Sequence, residues 1–230
     1  TSVYDATFAA LSLRERTRRL STRLVQADPG LRLPPIAGRA PRALVIERGL
    51  LEVSLADISQ QAGTNVALVS YYFGNREGLM VAIAKADGEQ AVGDLDRLLA
   101  ADMSPTAKLE LHIKGLIEAY FERPYLHRLL QKILREGSPE ASAKVGTWLV
   151  KPVADARRTI IAEGAARGEF REVDASLVSF AIDGACAHIF SSVEGRRAVL
   201  GTGTLDRALA ERYVKTVSEL IIRGMLQAAG

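Results

Sequence analysis

The chain is poor in the residues that build reactive centres. Its 230 residues include one cysteine, one tryptophan and three histidines. A lone Cys186 excludes an intramolecular disulfide framework and suits a reducing compartment. His112, His127 and His188 are scattered, and Cys186 and His188 lie two apart on a helix, facing different ways, so no four-ligand metal spacing exists. There is no Gly-x-Ser-x-Gly elbow, phosphate loop or His-Glu-x-x-His pair. Gly201-Thr202-Gly203 lacks the strand and further glycine of a dinucleotide loop and reads as a turn. Neither an enzyme nor a cofactor is expected. No apolar run approaches the roughly 20 residues of a membrane span, and the first residues lack a basic-then-apolar secretory pattern. The expectation is a cytoplasmic protein with no membrane partner.

Hydrophobic residues make up 48% of the chain, ample for a core, while aromatics supply only 6%. Abundant Ala, Leu and Arg favour helices over sheets, and no segment alternates long enough to insist on a strand. The formal charge of +3 is unevenly spread. Residues 1–48 carry nine arginines against four acids, a net of +5, which leaves the remainder at −2. A basic end on a slightly acidic body points to a polyanion partner there, although a solvated, disordered arm has the same composition.

Residues 1–33 form an arginine-rich arm broken by Asp28-Pro29-Gly30 and then Pro34-Pro35. A first helix is expected from Pro41 to Gly49. Ser54-Leu55-Ala56-Asp57 opens a second in capping-box fashion, Gly63 supplies a tight turn, and a third short helix spans roughly Asn65–Phe73. A long helix runs on from Arg76. Helices then begin at Pro105, Pro124 and Pro139, the last reaching about Ala166. Asp174 caps a nearly all-apolar helix, and Thr204 with Asp206 begins the final one, to about Leu226. The reading is all-α.

Two short helices around a glycine turn have the dimensions of a helix-turn-helix, but so do many structural hairpins. The second is unusual in composition. Val69 and Phe73 share one face, while Asn65, Ser70, Tyr71 and Tyr72 present hydrogen-bonding groups elsewhere. A helix reading a groove needs such groups: Asn for base edges and tyrosine hydroxyls for phosphates.

The run GLLEVSLADISQQAGTNVALVSYYFGNREGLMVAIA resembles the DNA-binding signature of the TetR family of repressors. Gly49, Ser54, Ile58, Ala62-Gly63, Tyr71-Tyr72-Phe73 and Glu77 with Leu79 match its pattern. Arg76 replaces the usual lysine, Ser70 replaces a frequent tyrosine, and Gly38 and Pro41 interrupt the place of helix 1. The resemblance implies an arm at 1–38, a three-helix DNA-binding domain at 39–85, and a larger ligand-binding and dimerisation domain at 86–230. It further implies that Ser54, Tyr71, Tyr72 and Arg76 face phosphates while Asn65, Val66, Ala67 and Leu68 face bases; Ser70 belongs to the same DNA-binding set, with one phosphate contact removed and a hydroxyl left in its place. Val66 and Leu68 equally suit packing. Arg39 and Arg42 with the upstream arginines suit phosphates or a minor groove.

Family bodies dimerise through their last two long helices, here 174–194 and 205–226, and enclose a small-molecule inducer. A helix apolar on every side must be buried on every side, by a second subunit or within one chain. EGAARGEFREVD (163–174) looks like the connector preceding that helix. Candidate pocket residues are His112, Tyr120, Phe121, Leu130, Trp148, Phe180, Asp183 and His188, each of which also reads as ordinary core or surface. The implied function is an inducible repressor that binds a near-palindromic DNA operator as a homodimer. A helical adaptor with a degenerate helix-turn-helix is the alternative, and an activator would use the same head.

Overall fold

A computed structural model describes residues 54–61 and 65–226. The arm, the helix expected from Pro41 and the Ala62-Gly63 turn lie outside the described residues. The chain divides into two compact units between Asp87 and Gly88. Among the described residues the regular structure is helical, with one isolated β-bridge between Phe170 and Leu226.

The first unit contains α1 (Leu55–Gln61), α2 (Val66–Phe73) and the start of α3 (Arg76–Ala100). The capping box is formed: Asp57 N donates to Ser54 Oγ at 3.1 Å and Ser54 N to Asp57 Oδ2 at 2.8 Å. α2 ends at Gly74, whose φ of +72° suits a residue without Cβ. Asn75 then caps α3 by accepting from Gly78 N at 2.9 Å. Glycine is required at position 78 for a different reason, because a Cβ there would lie 2.0 Å from the carbonyl oxygen of Phe73.

The second unit holds the rest of α3, then α4 (Pro105–Glu122), α5 (Pro124–Glu136), α6 (Pro139–Val145), α7 (Lys151–Ala166), α8 (Ala175–Ser191), α9 (Val193–Leu200) and α10 (Arg207–Met225). α4 is central and packs against α5, α7, α8 and α10. Its Leu109, Ile113 and Ile117 recur every four residues and are wholly buried, with Leu129, Ile133, Val145, Ile160 and Ile182 from neighbouring helices. Each such side chain contributes about 1.5–3 kcal/mol of transfer free energy. Ser104, Ser138, Asp174 and Asp206 each accept a backbone N–H as N-caps, and proline occupies the first position of α4 and α6.

Three features differ from the sequence expectation. The helix from Pro139 is interrupted by a π turn at Gly146–Val150, where Lys151 N donates to Gly146 O. Pro152 follows, and its missing N–H and bulky ring prevent the regular bond to the preceding turn. The apolar helix stops at Ser191 instead of running to 194, and α9 leaves it at 85°. Buried Arg196 accounts for the break, donating to Ile189 O at the end of α8 and to Gly203 O beyond α9. Nor is α8 buried on every side in the chain, since Leu177 (68% exposed) and Phe180 (79%) stand outward.

The connector 163–174 is a fastener. Glu169 Oε2 accepts from Thr106 N and Thr106 Oγ1 at 3.1 and 2.7 Å, anchoring the start of α4. Phe170 packs flat against Gly164, where a Cβ would sit 2.1 Å from its ring. Arg171 N donates to Met225 O at 2.8 Å and its Nε to Gly224 O at 2.9 Å, fixing the end of α10.

Candidate functional site

α2 buries only Val69 and Phe73. Asn65, Val66, Ala67 and Leu68 are exposed, Tyr71 is 82% exposed, and Ser70, Tyr72 and Arg76 are half-buried. The Tyr71 and Tyr72 rings meet edge to face at 5.4 Å, which orients both without using either hydroxyl. Two expected contact residues have structural duties as well. Asn65 is the N-cap of α2, its Oδ1 accepting from Leu68 N at 2.7 Å, and this leaves Nδ2 as the donor that the exposed side chain can offer. The Ser54 hydroxyl donates to Asp57 Oδ2 at 2.5 Å while its oxygen caps α1. A phosphate taking a hydrogen bond from Ser54 would have to displace that carboxylate.

In the second unit, α4, α7 and α8 meet around Arg157, which sequence reasoning misses. This side chain is 1% exposed. Its Nε donates to His112 Nε2 at 2.8 Å, Nη1 to Ser179 O at 3.1 Å and Nη2 to Asp183 Oδ1 at 2.7 Å. Accepting from Arg157 requires His112 to carry its proton on Nδ1. Burial, and then the Arg157 charge, push the His112 pKa down to about 3, so the imidazole stays neutral. Burial raises Tyr120 well above the ordinary phenol range, with Asp183 adding to the effect. The same desolvation lifts the Cys186 thiol to about 12, leaving no thiolate at neutral pH. Tyr120 packs edge-on to His127 at 5.5 Å and against Phe190 at 5.8 Å.

His112, Tyr120 and Asp183 therefore share one neighbourhood, whose edge His188 reaches through His127, while the other candidate pocket residues do not join them. Phe180 points outward from α8, and His188 is also exposed. The cause is helical phase: Ser179, Ile182 and Cys186 set the buried face of α8, and one step of about 100° carries Phe180 off it. Phe121 lies under the Arg207 guanidinium at 4.6 Å. Trp148 covers Gly88, where a Cβ would be 2.4 Å from its ring, and its Nε1 is buried without a partner. Leu130 is half-buried on α5. A separate groove of about 260 Å³ is lined by Arg158, Ile161, Ala162, Glu172 and Val173 among others. No group of three or more His, Cys, Asp or Glu residues suited to a metal occurs among the described residues.

Residues 39–83 match the family described as bacterial regulatory proteins, tetR family, and residues 102–230 match the tetracyclin repressor-like C-terminal domain. The chain belongs to the TetR family of transcriptional regulators. The HTH-type transcriptional regulator RutR of Escherichia coli (strain K12) is 23% identical over 171 residues, spanning 74% of this chain and 80% of RutR. PfmR from Thermus thermophilus superimposes with a TM-score of 0.66 at 20% identity, covering 82% of this chain and 97% of PfmR. FadR from Bacillus subtilis, solved with stearoyl-CoA, gives 0.65 at 21% identity with the same coverage. These structures share the fold, a helix-turn-helix head with a larger helical body. No single helix among the described residues is long and apolar enough to cross a membrane.

Proposed function

We propose that this TetR regulator is a repressor that binds a near-palindromic operator as a homodimer and is released by a small-molecule inducer. The outer face of α2 carries the reading: a helix held by two core residues leaves Asn65, Val66, Ala67, Leu68 and Tyr71 facing away from its own fold. Tyr71, Tyr72, Ser54 and Arg76 serve as phosphate contacts that set register, Ser70 adds a hydroxyl to the same DNA-facing set, and Arg76 brings its charge to the start of α3. Asn65 offers Nδ2 to a base acceptor, while Val66 and Leu68 offer apolar contact to a thymine methyl.

The stearoyl-CoA in complex with FadR supports a small-molecule effector for this chain, and its larger helical unit is the place proposed for it. Dimerisation is assigned to α8 and α10, whose outward residues include Leu177, Phe180 and Leu220. An inducer acts by favouring a body state whose heads no longer fit successive major grooves, and only its differential affinity for the two states can move that balance.

A gel shift with the DNA upstream of the regulator's own gene tests this. A salt-sensitive shift of dimer stoichiometry is expected. Tyr71→Phe should weaken every site similarly, by about tenfold at physiological salt. Unchanged affinity in that variant would remove Tyr71 from the interface. No shift at any salt, with or without residues 1–38, followed by failure of a random-site selection, would favour the adaptor reading.

A further inference from the structure

We propose that Arg157 and Asp183 form an anion-exchange site: the effector is a small organic carboxylate that replaces the Asp183 carboxylate on the buried Arg157 guanidinium. The proposal rests on the inducible reading above and names the chemistry of its ligand.

The pair is lopsided. Arg157 is shut away from water, while the Asp183 side chain keeps 54% of its exposure. His112 Nε2 and Ser179 O, the other acceptors around Arg157, are neutral, so Asp183 supplies the negative charge. A buried guanidinium left without a counter-ion is strongly destabilising, whereas a half-hydrated carboxylate returns to water at little cost. An incoming carboxylate of the same planar geometry keeps Arg157 paired while Asp183 rehydrates. Arg157 then keeps one carboxylate partner throughout, the rehydrated Asp183 adds a like charge beside the ligand, and the non-polar body of the ligand contributes the net affinity.

The surroundings suit such a body. Tyr120 and His127 both lie near enough to Asp183 to feel its charge. Tyr120 packs against His127 and Phe190, forming an aromatic wall. His127 Nδ1 is buried there without a partner, a second polar point for a ligand. Asp183 also sits on α8 beside the outward Phe180, so freeing it from α7 alters how the proposed dimerisation helix is held.

Carboxylate rescue of the full-length protein, read by thermal unfolding without DNA, tests the site. Asp183→Ala should lower the unfolding temperature by about 5 °C or more. Sodium acetate at about 0.1 M should recover at least half of that loss, beyond sodium chloride of equal ionic strength. Acetamide, the neutral analogue, should recover none. Asp183→Asn keeps a hydrogen-bond acceptor for Arg157 and serves if the alanine variant fails to fold. Both variants should bind acetate at least ~10-fold more tightly than the native chain, because the competing carboxylate is gone. Equal effects of acetate, chloride and acetamide would overturn the proposal, as would native stability of the Asp183→Ala variant. Operator binding is measured separately, so failure of the rescue leaves the repressor reading standing, and the reverse.

Discussion

Protonation of His112 is where acid acts on the body. Its folded pKa of about 3 lies far below the ordinary value of 6.5, so the unfolded chain binds the extra proton between those limits. The stabilisation is complete above pH 6.5 and is lost as pH falls towards 3. From this one group the slope is about 1.4 kcal/mol per pH unit. Physically, a charged His112 would lose its capacity to accept from Arg157 and would repel it. His112→Gln, which retains an acceptor without a titration, should flatten the pH dependence. Urea unfolding at several pH values between neutral and acid checks this, and parallel curves for variant and native protein would refute it. Part of this cluster was legible as residue types: Asp183 is a polar group on an otherwise apolar helix and so requires a partner, as does His188, which the structure leaves exposed. Arg157 was not, because it reads as half of an arginine pair on an exposed helix. Its phase tells the difference, since Ala156, Ile160 and Ile161 share its buried side while Arg158 is exposed.

The joints between helices decide more than the helices themselves. Gly78→Ala should destabilise the head by about 1–3 kcal/mol, because the new Cβ meets a backbone oxygen that cannot step aside. Gly93→Ala, on the same α3 with nothing near its added methyl, should be neutral or stabilising by about 0.5–1 kcal/mol. Thermal unfolding of both variants, with operator affinity for the first, makes the comparison; equal effects would mean the turn tolerates a side chain. Helix starts were readable wherever serine or aspartate precedes a proline or an apolar run, as at Ser104, Ser138 and Asp174. Breaks created by tertiary contacts were harder to see. The Ser192 bend depends on Arg196 reaching carbonyls on either side of α9, a contact without local periodicity. The π turn was legible in principle from Pro152, which the run of helical residues around it disguises. Likewise the cap that engages Asn65 could be read from its place before α2, and it narrows what that side chain offers DNA.

At the scale of the whole molecule, the repressor proposed above requires two copies to read two half-sites. Phe180→Glu places a charge in the centre of the outward face of α8. It should leave the chain folded but monomeric by sedimentation, with operator affinity reduced by about 100-fold through loss of bivalency. A dimer that survives this change would move the interface elsewhere. The connector adds a further consequence. α8 begins immediately after it, and α10 ends against it through Arg171, Met225 and Gly224. The two helices assigned to the interface are thus tied to a common post within each chain. Association then need not freeze their mutual arrangement, and the conformational entropy normally lost as an interface forms has already been given up when the chain folds.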